Sequence, residues 1–179
     1  MSVRQHVVAA LGVALAAVPL TVVTFAQDVS GPNLKAAYIY RFAQFTEWPA
    51  GVLPQAGPLT MCVVGETAVR DALERTVRGI EVHDRAVVVA FGQPDKPPPQ
   101  CHVLYVSAVS SAQAARLVAG AREVPVLTIS DLEGFHRMGG IAEFFYESGQ
   151  LRFSIAPDAA AKARLIFSSR LLQLGREPR

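Results

Sequence analysis

Residues Cys101–Asp131, CHVLYVSAVSSAQAARLVAGAREVPVLTISD, decide the fold. Val103–Val106 is a short, wholly apolar run, the pattern of a strand covered on both faces. Ser111 opens a helix that runs to about Arg122, and Val124–Ile129 is another strand. Strand, helix and strand in that order form one parallel crossover unit. Upstream, Leu59–Val64 reads as a buried strand ending at Gly65, and Thr67 caps a helix from Ala68 to about Val77. The next strand is Ile80–Val82 or the stronger run Ala86–Phe91, with His83-Asp84 as a bulge or turn between them. Gly92–Gln100 carries Pro94, Pro97, Pro98 and Pro99 and is an extended connector. Downstream, Ile141–Tyr146 and Leu151–Ile155 flank Glu147-Ser148-Gly149-Gln150, a hairpin turn. Pro157 and Asp158 then open a last helix reaching about Leu174. The expected fold is α/β: a layered sandwich with a mixed, mainly parallel sheet and a C-terminal hairpin plus helix.

Composition narrows the function classes. A hydrophobic fraction of 51% excludes a disordered chain. A net charge of +2, with no basic stripe interleaved with aromatics, speaks against nucleic acid as a partner. The N-terminus speaks to the compartment. Met1–His6 carries Arg4, Val7–Val23 is almost wholly apolar, and Thr24-Phe25-Ala26 offers small residues at −3 and −1 of a cut after Ala26. Residues 1–26 therefore read as a secretory signal peptide, leaving 27–179 as one exported α/β domain. An uncleaved membrane anchor is the alternative; Pro19 and the cleavage site speak against it. In an oxidising compartment the even cysteine count favours a disulfide between Cys62 and Cys101 over two buried thiols.

The segment Asn33–Trp48 is rich in aromatics. With Asn33 as N-cap, helical spacing puts Leu34, Tyr38, Phe42 and Phe45 on one face and Arg41 and Gln44 opposite. Most of these aromatics are core. Tyr40 sits nearer the polar side and Trp48 follows the helix; both are candidate partner-binding residues, because aromatics anchor interfaces. Lys35 falls inside the apolar arc; it is read as snorkelling from the first turn, with a buried ion pair as the alternative. Gly65-Glu66-Thr67 lacks phosphate-loop spacing and reads as a plain turn. Ser130 and Asp131 end a strand and, with Gly139 and Gly140, are candidate ligand-binding residues, since ligands gather beyond the carboxyl ends of parallel strands. No nucleophile elbow, metal-ligand spacing or cofactor motif is present, so the chain reads as a non-enzyme without catalytic, cofactor-binding or metal residues.

The segment LKAAYIYRFAQFTEWP (34–49) resembles the opening motif of the YfiR family of periplasmic proteins. Further likenesses follow in order: CVVG (62–65), CHVLYVS (101–107), VLTISD (126–131), Gly134-Phe135, Gly139-Gly140-Ile141, Phe153-Ser154-Ile155 and FSSRLLQL (167–174). The resemblance implies an α/β fold and a periplasmic regulator. Its partner would be an inner-membrane diguanylate cyclase, or a similar membrane sensor, whose periplasmic portion it binds to repress cyclic di-GMP signalling and biofilm formation. It also implies a possible homodimer, and Cys62 and Cys101 match a disulfide pair of the family. The chain lacks a second cysteine pair that some members have, and Ala156-Pro157 stands where a polar helix start is expected. The alternative function is a periplasmic small-ligand sensor serving another membrane signalling protein.

Overall fold

The structure is a computed structural model and describes residues 31–176, apart from Pro97 and Pro99. Residues 1–30, on which the expected signal peptide and its cleavage site fall, and residues 177–179 lie outside the described residues. Helix α1 (Gly31–Gln44) leads into a short strand β1 (Thr46–Glu47). Next come β2 (Leu59–Val64), α2 (Thr67–Val77), β3 (Glu81–Val82), β4 (Arg85–Gly92), β5 (Val103–Val106) and α3 (Ser111–Ala121). The chain continues through β6 (Leu127–Ser130), a 3-10 turn (Phe135–Met138), β7 (Ala142–Glu147) and β8 (Gln150–Ile155). It ends with α4 (Pro157–Lys162), β9 (Ile166–Phe167) and α5 (Ser169–Leu174).

Seven strands form one sheet in the order β3-β4-β2-β5-β6-β7-β8. The four contacts from β4 through β7 are parallel, and the two outer ones are antiparallel. The sheet is thus mixed and mainly parallel, with the hairpin β7–β8 at one edge. Both candidate strands around His83-Asp84 form. These two residues sit at φ 52° and 58°, the left-handed pair that a two-residue hairpin turn requires. Ser148 and Gly149 close the other hairpin in the same way.

Side chains alternate across the sheet, so each strand feeds two cores. Leu59, Met61, Val63, Val103, Tyr105 and Ile129 face α1 and α2. Cys62, Val64, Leu104 and Val106 face α3, with Ala114 and Leu117. Helices on both faces make three layers. Phe42 and Tyr38 of α1 meet Phe144 and Phe153 of the hairpin at ring separations of 4.9–5.9 Å, which ties the first helix to the last strands. Cys62 and Cys101 are joined by a disulfide that links β2 to the chain just before β5.

Local capping differs from the sequence reading at three points. Helix α1 is already helical at Gly31, so Asn33 is not its cap; its Oδ1 accepts from Arg75 at 3.3 Å instead. Thr67 is the first helical residue of α2, and the cap position belongs to Glu66. The expected last helix is two. After α4 the chain reverses at Arg164, φ 56°, with Leu165 N–H bonded back to the carbonyl of Ala160. Ile166 and Phe167 then pair antiparallel with Glu47 and Thr46. Ser168 restarts the helix by accepting from Leu171 N–H. By contrast, Ser110 and Gln113 form a reciprocal capping box on α3.

Candidate functional site

Strand order places the site. From β2 the chain crosses through α2 to β4 on one side, and then to β5 on the other. At such a reversal the connections leave in opposite directions and open a crevice at the carboxyl ends of the two strands. The residues found there are Glu66 after β2, Ser107 after β5 and Asp131 after β6, with Tyr105 beneath them. Gly65 lets the first turn pass close: at φ 98°, a Cβ on it would lie 1.8 Å from the Ser107 carbonyl oxygen.

Helix α1 lies over this crevice and fills it with Lys35. The Lys35 Nζ donates to Asp131 Oδ2 at 2.5 Å and to Glu66 Oε2 at 3.1 Å. Ser107 Oγ lies 2.6 Å from Asp131 Oδ1 and 3.1 Å from Glu66 Oε2; its one proton serves the shorter contact. Tyr105 O–H points at Glu66 Oε2 at 3.4 Å. Each carboxylate thus has the ammonium and one hydroxyl. Burial works against the Lys35 ammonium, but hydrogen bonds and charge from Asp131 and Glu66 outweigh it, and its pKa stands above the ordinary 10.5. Burial, assisted by the charge of Asp131, raises the Tyr105 phenol far above its usual value, so it stays a neutral donor. Lys35 is therefore a buried ion-pair partner and does not snorkel. A lysine within an apolar arc meets no carboxylate of its own helix; the partners come from residues 31 and 96 positions away.

The other candidate residues are distributed around this centre. Ser130 is fully buried, donating to the Val106 carbonyl at 2.6 Å and accepting from Leu132 N–H. Asp131 also lines a pocket with Gly134, Arg137, Glu143 and Tyr146. Gly139, φ 95°, borders a second cleft of about 520 Å³ that shares Arg137 with the first and also holds Arg122, Glu123, His136, Asp158 and Lys162. Gly140 belongs to neither: a Cβ there would lie 2.1 Å from the buried Phe135 ring. Tyr40 and Trp48 are half-buried against the core. Tyr40 Oη accepts from Gln44 at 2.6 Å, and Trp48 stands edge-on to His83, its buried Nε1 without a hydrogen-bond partner. The sequence reading missed Glu66, Tyr105 and Ser107 as members of one cluster. Their common signal is position, since each lies at the end of a parallel strand.

Among the described residues no group of three His, Cys, Asp or Glu side chains is arranged to hold a metal ion. None of their helices is long and apolar enough to cross a membrane. The fold and site define a three-layer α/β protein whose switch-point crevice is closed by a lysine of its own first helix. Comparison with protein families then places it: a model described as YfiR/HmsC-like matches residues 32–176, and the chain belongs to that family. No curated protein matches it.

Proposed function

We propose that this protein is a periplasmic regulator, exported by cleavage after Ala26, that binds the periplasmic portion of an inner-membrane diguanylate cyclase and holds it inactive. Membership of the YfiR/HmsC-like family over 32–176 carries the reading. The crevice supports it. Where an α/β enzyme of this topology places its reacting groups, the two carboxylates here are already engaged with Lys35, which locks α1 to the sheet. Repression then works through a binding equilibrium: the partner is held in one state, and release shifts its population. Tyr40 and Trp48, on and just after α1, are the proposed contact residues. Deleting the gene should raise cyclic di-GMP and surface attachment, and a pull-down from membranes with the mature protein should recover the cyclase. Unchanged cyclic di-GMP after deletion, across several growth conditions, would remove the repressor reading.

One observation favours a second reading, a sensor of a small ligand. The cleft beside Gly139 brings Arg122, Arg137 and Lys162 together with His136 against two carboxylates, Glu123 and Asp158, and this excess of cations suits a small anion. A carboxylate or phosphate compound that raises the melting temperature of the purified protein, with the rise lost in Lys162→Ala, would support it.

A further inference from the structure

The smaller of the two cores lies under α3, and at its margin Cys101 and Val126 are only half-buried. A groove opens there between α3 and the connector from β4 to β5. Gln93 and Lys96 bond backbone to backbone at 3.0 and 3.3 Å, and this tight turn holds Pro94 as one wall. Leu117 and Gly120 of α3 form the other wall, Leu104 and Val126 the floor, and together they enclose about 500 Å³. A second cavity of about 400 Å³, before β2 and β6, shares Gln100, Cys101, Val124 and Val126 with the first. The two therefore run together as one elongated groove past the disulfide, with the exposed Val124 where they join. Its inner polar group is already satisfied. His102 Nδ1 accepts from Thr60 N–H at 2.9 Å, the ring is also bonded to the Val52 backbone, and burial holds its pKa below the ordinary 6.5, so it stays neutral. At the α3 end stands a cation that is not satisfied. Arg116 has several N–H donors, and its charged neighbour Asp95 is 3.7 Å away, with the two side chains 64% and 81% exposed. Gly120 adds an independent sign. Inside a helix only proline is less favourable than glycine, yet a Cβ on Gly120 would meet no atom within 4 Å. No close packing calls for glycine here; a longer side chain would stand in the groove.

We infer that this groove binds a single-chain carboxylate amphiphile, with the hydrocarbon tail along Leu104, Val126 and the disulfide and the carboxylate on Arg116. The shape selects the tail. Each cavity alone is of ligand size, and a compact ring would fill one and leave the other, whereas a flexible chain follows both. The lining selects its chemistry, since the walls and floor are apolar and offer no unpaired inner donor for a polar body. The charge selects the head. A guanidinium takes a carboxylate in a fork of two hydrogen bonds, and at 3.7 Å Asp95 does not make that fork. The groove shares only Ala121 with the cleft beside Gly139, and the inference rests on neither that cleft nor the cyclase reading.

The test is calorimetric titration of the purified mature protein with octanoate, decanoate and dodecanoate below their micelle concentrations. Affinity should rise about fourfold for each added methylene, the ratio that burying one CH₂ gives, until the groove is full. Arg116→Ala should weaken decanoate far more than decanol, which has the same tail and no charge. Asp95→Asn removes the carboxylate that competes for Arg116 and should tighten decanoate. Gly120→Leu puts a side chain into the groove and should abolish binding, while urea titration shows stability at or above wild type, because leucine is the better helix former. If that variant fails to fold, the two exposed substitutions at Arg116 and Asp95 decide. Absent binding at millimolar decanoate overturns the inference, as does an affinity indifferent to chain length. Binding that survives in folded Gly120→Leu also overturns it and leaves only partition onto the surface. Dodecylamine binding more tightly than dodecanoate, with Asp95→Asn weakening it, would give the groove to a cation instead.

Discussion

Replacing Lys35 by Met removes the ammonium while keeping most of the side chain's length and apolar packing. Asp131 and Glu66 are then left facing one another across the single proton of Ser107. The cost follows from exposure. Breaking a fully buried ion pair costs about 3–5 kcal/mol, whereas an exposed pair contributes at most about 1 kcal/mol. Here the side chains of Lys35, Glu66 and Asp131 are 11%, 23% and 21% exposed. The expected loss therefore lies between the limits and nearer the buried one, about 2–3 kcal/mol. For a chain of this size each kcal/mol moves the midpoint by about 2–4 °C, so thermal unfolding followed by circular dichroism should show a fall of roughly 5–10 °C. Urea titration should show the same loss without a change in slope, because the surface exposed on unfolding is unaltered. The triple variant Lys35→Met, Glu66→Gln, Asp131→Asn removes all three charges and should recover much of the loss, since the penalty comes from the stranded carboxylates. A single variant within about 0.5 kcal/mol of wild type, or a triple variant no more stable than the single, would refute the view that this cluster locks α1 to the sheet.

Three further outcomes are expected. Lys35 and Tyr105 both have folded pKa values above their ordinary 10.5 and 10.0, so the stability they contribute is present below those values and falls as pH rises beyond about 10; an alkaline titration of the Lys35→Met variant should show a shallower decline than wild type, and the Tyr105 phenol should ionise only well above its ordinary range in ultraviolet absorbance. Replacing Cys62 and Cys101 together by Ala opens a link between residues 39 positions apart, for which loop entropy gives about 4 kcal/mol of lost stability; denaturation with and without reductant should reproduce that loss in the wild type, and thiol labelling without reductant should find no reactive cysteine. Gly65→Ala forces a Cβ to 1.8 Å from the Ser107 carbonyl at a left-handed φ, so it should cost more than the roughly 1–2 kcal/mol of the backbone conformation alone, read by the same urea titration, while Gly51→Ala, also left-handed but with open space around it, should cost only that conformational part.

Local sequence pattern determined the elements whose signals are local. Val103–Val106 is apolar throughout, and Leu59–Val64 is apolar but for Thr60, because both faces of a central parallel strand are covered, and the structure forms strands over the same residues. The turn chemistry of Glu147–Gln150 and the alternation of strand and helix were equally legible, and with them the mixed, mainly parallel sheet. What tertiary structure alone decided is which distant residues meet. Strand order is set by packing and by the handedness of crossovers, not by any one segment. Only that order puts Glu66, Ser107 and Asp131 at neighbouring strand ends with Lys35 above them. The same holds for the divided C-terminal helix. Residues 157–174 carry a helical pattern, but pairing of Ile166-Phe167 with Thr46-Glu47 satisfies backbone groups of β1 that no local partner reaches. A periodicity reports which face of a segment is buried; it holds no record of the charge, the ring or the strand that will be buried against it.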